Sequence, residues 1–475
     1  MSDLLSKYKL IAVLLTIIFV IPVLIIPQEI MLKISIENIY IKESEDHWKD
    51  EGGTLYFILS TYYVLFVLTN ISPFLFFSFL SLFSGRDYKR AKKRTRSILK
   101  GDSASVGEFS HIFRDRKYPK VSIIIPCYNE SNYISSTITN CFRQTYRGEI
   151  EIIVIDDGSK DNTWSIGRIF KTKGPDRKIV VFHKPNGGKA SAITYGIKKA
   201  TGAIIITTDG DSEMDPNAVE ELVLSFRTYK DAGIVGGYVF IKNTHQGYLT
   251  RLQQLEYIIT QHLIRLNQSG DGSVLIAPGP IFGIRADVAR MFPPLNRTMV
   301  EDCDLTMNIL STGYTTRAAR DAISYTNAPT RWRDWKSQRK RWIYGQFQAW
   351  RENRWHLKNN PWGVYTYISW VITTLSALLL IPTMILTIYL VSNWDELFNI
   401  FEFISVRTLI ILLIYFGVRT SILVQYKESR GLIRYLPLKI LYDLVNGFLT
   451  AYLYIRYITG IGVKVKWGNT NKVIH

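Results

Sequence analysis

At 475 residues the chain has room for one large folded domain and a second structural regime beside it, because a single core rarely grows beyond about 250 to 300 residues. A hydrophobic share of 47% coexists with a formal charge of +18, so apolar and charged residues are segregated along the sequence rather than mixed. Cys127, Cys141 and Cys303 are the only cysteines and have no CxxC spacing, which argues against a disulfide framework or a cysteine zinc site and leaves buried, reduced thiols.

The first elements are apolar runs at 10–27 and 55–83, each close to or beyond the length of about 20 residues that a membrane helix needs. The first is read as an anchor rather than a cleaved leader, since its apolar part is long and a second run follows closely. Between them the loop carries Glu43, Glu45, Asp46, Asp50 and Glu51, whereas Lys89, Arg90, Lys92, Lys93, Arg94 and Arg96 follow the second run. The positive-inside tendency puts this basic side, and with it residues 84–360, in the cytoplasm. Anionic lipid attracts such residues by about 1 kcal/mol each, which accounts for much of the charge. No helix-turn-helix, finger or RNA-binding signature accompanies it, so no nucleic-acid partner is expected.

Three short β-branched runs follow, and each ends in polar residues. Val121-Ser122-Ile123-Ile124-Ile125-Pro126 leads to Cys127-Tyr128-Asn129-Glu130, Ile152-Ile153-Val154-Ile155 to Asp156-Asp157-Gly158-Ser159, and Ala203-Ile204-Ile205-Ile206 to Thr207-Thr208-Asp209-Gly210-Asp211. Runs of this kind form buried parallel strands, so an open α/β sheet is predicted. Ligands of such sheets bind at the carboxyl edge, where the acidic residues gather. A single aspartate there reads equally well as a helix N-cap, but three such edges are more than capping needs. Asp209 and Asp211, one residue apart, emerge on the same side of an extended chain and can grip a hard cation through oxygen. In Asn186-Gly187-Gly188-Lys189 the glycines let backbone approach a ligand and the lysine offers a point charge for phosphate; an ordinary turn has the same composition.

Farther along, residues 249–266 have helical apolar spacing and are read as an interfacial helix. Ala277-Pro278-Gly279-Pro280-Ile281-Phe282-Gly283 is a Gly-containing turn whose apolar Pro and Phe read equally well as packing. Val300-Glu301-Asp302-Cys303-Asp304-Leu305 places acids at the start of a helix, either to complement its dipole or to supply a general base, and position alone does not choose among Glu301, Asp302 and Asp304. Residues 331–358 are rich in Arg, Lys and Trp, and include Gln338-Arg339-Lys340-Arg341-Trp342. Such a helix suits the membrane interface on one face and a ligand on the other. Apolar runs at 364–392 and 404–424 come next. A last stretch at 432–461 is interrupted by Lys439, Asp443, Asn446 and Arg456, so it either spans against a protein interior or lies at the interface.

The ordered set Asp156-Asp157-Gly158, Asp209-Gly210-Asp211, Glu301-Asp302 and Gln338-Arg339-Lys340-Arg341-Trp342, flanked by apolar runs, resembles the processive family 2 glycosyltransferases, which include the synthases of hyaluronan, chitin, cellulose and poly-N-acetylglucosamine. The resemblance covers roughly 119–360 by motif and much of the rest by layout. It implies a cytoplasmic α/β domain of the GT-A type, inserted between transmembrane helices, that takes a UDP-sugar and inverts the anomeric centre in one displacement. By that likeness Tyr128, Glu130, Asp156 and Asp157 hold the uridine, while Lys189 and Asp209 contact the diphosphate. Asp211, with Asp209, coordinates Mg2+ or Mn2+. Asp302 matches the base, and Gln338, Arg341 and Trp342 match the motif that clamps the diphosphate and stacks on the acceptor. Val300 stands where threonine is frequent, with the carboxylates intact.

The implied layout is 1–83 as two transmembrane helices with an external loop, 84–118 as a basic juxtamembrane linker, 119–330 as the catalytic domain, 331–360 as the interfacial helix and 361–475 as a transmembrane region. Its implied partners are the UDP-sugar donor, a growing polysaccharide, the lipid bilayer of the cell membrane and an accessory membrane subunit. Non-processive transfer to a polyprenyl phosphate would share the acidic motifs but usually lacks the Gln-Arg-Lys-Arg-Trp helix.

Overall fold

Residues 118–293, 296–357 and 416–460 are described by the computed structural model, with short pieces at 89–90, 92–93, 413, 464–467 and 470–473. They lie almost wholly in the unit formed by Phe83–Tyr367 and Thr420–His475; most of the other unit, Met1–Leu82 with Ile368–Arg419, lies outside them. The apolar runs at 10–27, 55–83 and 364–392 and the first part of 404–424 are therefore outside the described residues.

The chain first forms β1 (Val121–Cys127), α1 (Ile134–Phe142), β2 (Ile150–Asp156), α2 (Thr163–Ile169), β3 (Thr172–Lys173), β4 (Arg177–His183), α3 (Lys189–Lys199) and β5 (Ile204–Thr207). It continues with β6 (Glu213–Met214), α4 (Ala218–Thr228), β7 (Ala232–Ile241), α5 (Tyr248–Thr260), a π-helical turn at Gln261–Arg265, α6 (Leu266–Gly270), β8 (Phe282–Arg285) and α7 (Ala286–Met291). Then come α8 (Glu301–Ser311), β9 (Thr315–Thr326), α9 (Trp332–Leu357), a 3-10 segment at Lys427–Tyr435 and α10 (Leu436–Thr459).

β1, β2 and β5 are the three predicted strands, and every residue in them is buried. β1 lies between the other two and runs parallel to both. Strand alternation sends Ile123 and Ile125 to one face, under α1 and α4, and Ile124 to the other, under α3. Each fully buried isoleucine contributes about 1.5 to 3 kcal/mol of transfer energy, so this sandwich fixes the strand ends that follow. The whole sheet is mixed, in the order β3-β4-β2-β1-β5-β8-β7-β9-β6. β8 runs antiparallel to both β5 and β7, and β9 returns parallel to β7.

The helix expected at 249–266 exists as α5 and the π turn, and much of it packs on the sheet. Leu252, Gln253, Gln254, Leu255, Ile258, Ile259 and Gln261 are buried. Gln261 exchanges two hydrogen bonds with the backbone of Val239, 2.7 Å to its amide and 2.9 Å to its carbonyl. Its glutamines thus satisfy backbone groups of β7 that no neighbouring strand reaches.

Two packing features locate α9. At Gly345 an added Cβ would lie 2.6 Å from Val300 Cγ2, so the glycine lets α9 lie directly on the start of α8. Arg339 forms a two-pronged ion pair with Glu256 of α5 at 2.7 and 2.6 Å. Tyr442 of α10 donates to the same carboxylate at 2.6 Å and accepts from Trp335 Nε1 at 2.9 Å. The tryptophan-rich face expected at a membrane surface is therefore partly internal.

Residues 432–460 form the end of the 3-10 segment and α10, which is capped at Gly460 in the left-handed conformation (φ 67°). Lys439 pairs with Asp443 one turn away. Tyr442 and Leu453 are buried, whereas Leu441, Leu444, Val445, Phe448 and Ile458 are exposed. Among the described residues no helix is long and apolar enough to cross a membrane.

Candidate active site

The carboxyl ends of β1, β2 and β5 open along one edge of the sheet. After β1 the chain turns sharply at Asn129, whose φ of 59° lies in the left-handed region, which asparagine tolerates better than most residues. The turn is held by Asn129 N–H donating to Ser159 Oγ at 2.9 Å and by Lys160 N–H donating to Asn129 Oδ1 at 2.8 Å. It leaves Tyr128 exposed and brings Glu130 onto Gly210, where an added Cβ would be 3.1 Å from Glu130 Cγ. Between Asp209 and Asp211 an added methyl would thus press on Glu130, which would have to give by a few tenths of an ångström.

Asp156 and Asp157 end β2 and differ in what they hold. Asp156 is 1% exposed; one carboxylate oxygen is bound by His183 Nδ1, and the other is buried without a partner. His183 ends β4, and its ring lies 5.3 Å from that of Trp164. Asp157 accepts the Lys184 ammonium, Gly187 N–H at 3.1 Å and Gly188 N–H at 2.7 Å. Its carboxylate therefore shapes the turn that leads into α3.

Lys189, the first residue of α3, sends its ammonium to 2.6 Å from Asp209 Oδ1 and 2.9 Å from Glu301 Oε1. Asp302 accepts Gly279 N–H and Cys303 N–H, each at 2.8 Å. A Cβ added to Gly279 would sit 2.9 Å from Lys189 Nζ, 3.3 Å from Asp302 Oδ2 and 3.7 Å from Asp209 Oδ2. Three charged groups from distant parts of the sequence therefore meet over one glycine. Asp304 stands apart: Arg297 grips it at 2.7 Å with both prongs and Asn353 donates to it at 2.8 Å, so it joins α8 to α9.

Charge in this cleft is unbalanced. Burial pushes the Asp302 carboxyl above its ordinary range, and the Glu301 charge adds to the shift. Burial and then Asp209 do the same to Asp211. Glu130 is pushed up to about 7 by burial, with Asp211 and Asp209 contributing. Lys189 is raised too, but by charge rather than burial: against the penalty of burial, Asp209, Glu301 and Asp302 hold its ammonium above the usual lysine range. Such a surplus of carboxylate oxygen suits a hard divalent cation. Among the described residues no three acidic, histidine or cysteine side chains stand close enough to cage a metal alone.

In the Gln338–Trp342 motif, Gln338 Oε1 is buried without a partner. Arg341 is exposed and is among the charges that lower the Glu301 carboxyl, after Lys189 and against burial. Trp342 is half-buried, with its ring 6.2 Å from Tyr257 and the Arg339 guanidinium 4.7 Å from its own centroid. Sequence reasoning missed His183 and Gly279. The run Ile179-Val180-Val181-Phe182 ahead of His183 has the same form as the three strands that were recognised; Gly279 carries no signal beyond its turn.

Residues 122–292 match the family model described as Glycosyl transferase family 2. A probable glycosyltransferase of Bacillus subtilis, YdaM, is 31% identical over 48% of this chain and 56% of its own length. An N-acetylglucosaminyltransferase of Azorhizobium caulinodans is 30% identical over 48% of this chain and 60% of its own. The chain thus spans rather more than half the length of these curated relatives. Among solved structures, a mannosyltransferase of Pyrobaculum calidifontis in complex with GDP-Man and Mn2+ superposes with a TM-score of 0.48 at 17% identity, over 77% of this chain and 99% of its own. Residues 122–292 thus match a glycosyltransferase domain of family 2, and they lie in an α/β domain with a mixed sheet.

Proposed function

We propose that this chain is a membrane-bound inverting glycosyltransferase that polymerises the sugar of a UDP-sugar, UDP-GlcNAc or a close relative of it, into a β-linked polysaccharide and helps to export it. The observation that carries the reading is the meeting of Lys189, Asp209 and Asp302 over Gly279, which sets a cation for phosphate beside a carboxylate fit to be a base. Relatives named N-acetylglucosaminyltransferase favour the donor sugar. The apolar runs outside the described residues, and the exposed apolar side of α10, support attachment to a lipid bilayer.

On this reading the free oxygen of Asp156 accepts from the nucleobase, with His183 and Trp164 beside it. Lys189 and Asp209 meet the diphosphate. Asp211 and Asp209 would hold Mg2+ or Mn2+, which when bound neutralises the departing diphosphate. Asp302 takes the proton of the acceptor hydroxyl as that oxygen bonds to the anomeric carbon, and the bond from that carbon to the diphosphate breaks on the opposite face to release UDP. A carboxyl raised by burial matches a base at neutral pH better than an ordinary aspartate does. Gly279 N–H keeps the carboxylate oriented.

Membranes containing the chain, supplied with Mg2+ or Mn2+ and with UDP-GlcNAc, UDP-Glc or UDP-GlcA singly and in pairs, should release UDP and build polymer. Asp302→Asn should lower turnover by about 10²- to 10⁴-fold, the usual worth of a general base, with UDP affinity nearly intact. Undiminished turnover in that variant would remove the base from the mechanism.

A further inference from the structure

The π turn ends in a cation that the mechanism above does not use. Arg265 donates from Nη1 to Gly237 O at 3.2 Å and to Gln261 Oε1 at 2.9 Å, and among the described residues no carboxylate forms an ion pair with it. Both acceptors are neutral, and both are fixed: Gln261 by Val239, and Gly237 through its N–H to Ile281 O at 3.0 Å. Nε and Nη2 stay uncommitted. The side chain is only half-buried, and a cation held by neutral acceptors alone keeps its remaining donors available to a further oxygen ligand. Burial lowers this one to about 10, with Tyr238 and Asp302 acting against the shift.

Position ties the residue to the base. Ile281, which anchors Gly237, lies two residues beyond Gly279, the donor to Asp302. The same turn is braced by Thr306 Oγ1, which accepts Ala277 N–H at 3.1 Å and donates to Asp302 O at 2.6 Å. The π turn is what brings the arginine there: one inserted residue rotates the helix beyond it by about 100°. Short π segments inside helices are common at functional sites for this reason.

We propose that Arg265 binds the acceptor, donating its free N–H groups to hydroxyl oxygens of the terminal acceptor sugar and holding the attacking hydroxyl against Asp302. The neighbouring Asp302 charge repels a phosphate or uronate in this place and tolerates a neutral, hydroxyl-rich sugar. The inference rests on the assignment of Asp302 as the base of sugar transfer.

The test uses the full chain in membranes with UDP-GlcNAc and added chitotetraose, comparing wild type with Arg265→Gln and Arg265→Lys. Three quantities are read: sugar transferred to the oligosaccharide, sugar released to water, and UDP affinity. In Arg265→Gln the ratio of transfer to hydrolysis should fall by about 10- to 100-fold, the worth of a charge-assisted hydrogen bond, with a raised KM for chitotetraose. UDP affinity should hold, and Arg265→Lys should recover part of the ratio. An unchanged ratio and acceptor KM would overturn the assignment, as would equal loss of transfer and hydrolysis together with UDP affinity, which marks a merely structural role. If the wild-type chain released no UDP from any sugar nucleotide, the proposed function would fall as well, and that result is distinct from either of the others.

Discussion

Asp156 and Asp157 are neighbours in sequence and similar in chemistry, yet only one has an oxygen left for a ligand. Asp157→Asn should loosen the 184–189 turn, because an amide cannot accept from two glycine N–H groups and a lysine as a carboxylate does. The expected result is weaker UDP binding with a smaller loss of kcat, read from donor titrations. Glu130 gives a pH signature. Its folded-state value of about 7 lies above the ordinary carboxylate range, so the folded chain holds that proton more tightly than the unfolded one. Stability from this group is complete below the unfolded value and is lost as pH rises toward 7. Thermal melting between pH 5 and pH 8 should therefore fall less steeply in Glu130→Gln than in wild type. At this scale the sequence exposed the aspartates well, because each follows a strand of buried isoleucines whose end must be polar. It did not separate Glu301, Asp302 and Asp304, since what distinguishes them is the far partner each meets: Lys189, Gly279 and Arg297.

Among the elements, the seam between α8 and α9 is the most exacting. Gly345→Ala puts a methyl within 2.6 Å of Val300, and such overpacking costs about 1 to 3 kcal/mol. It should lower the melting temperature and, by moving α9 away from Asp302, reduce transfer more than UDP binding. Arg339→Ala strands Glu256 in a largely buried network with Tyr442, and breaking a buried pair costs about 3 to 5 kcal/mol. Denaturant unfolding should show that loss, with a smaller one in Tyr442→Phe, which leaves the ion pair whole. β1, β2 and β5 were legible as apolar runs, and α5 as a helical period. The second half of the sheet was not. β9 carries Arg317, Arg320 and Asp321, which break its pattern, and in β7 Gly233, Gly236 and Gly237 leave only the short run Tyr238–Ile241 to mark a strand. Period also cannot say what a helix packs against, so the contacts of α5 with β7 were not legible.

The molecule as a whole concentrates negative charge at the sheet edge within a strongly basic chain. A divalent cation supplied with UDP should raise the melting temperature more than UDP alone, and EDTA should reverse the gain. At a ligand concentration of a hundred times Kd the stabilisation is about 2.7 kcal/mol. Glu130→Gln, with less repulsion to relieve, should gain less. One connection across this edge has a further effect. A single ammonium is shared by Asp209 at a strand end and Glu301 at a helix start. Any anion that draws Lys189 toward itself leaves Glu301 with Arg341 as its remaining positive neighbour, and the uncovered charge strengthens the grip of Asp302 on a proton. On the proposed reading, seating the nucleotide and arming the base are interlocked through this one side chain.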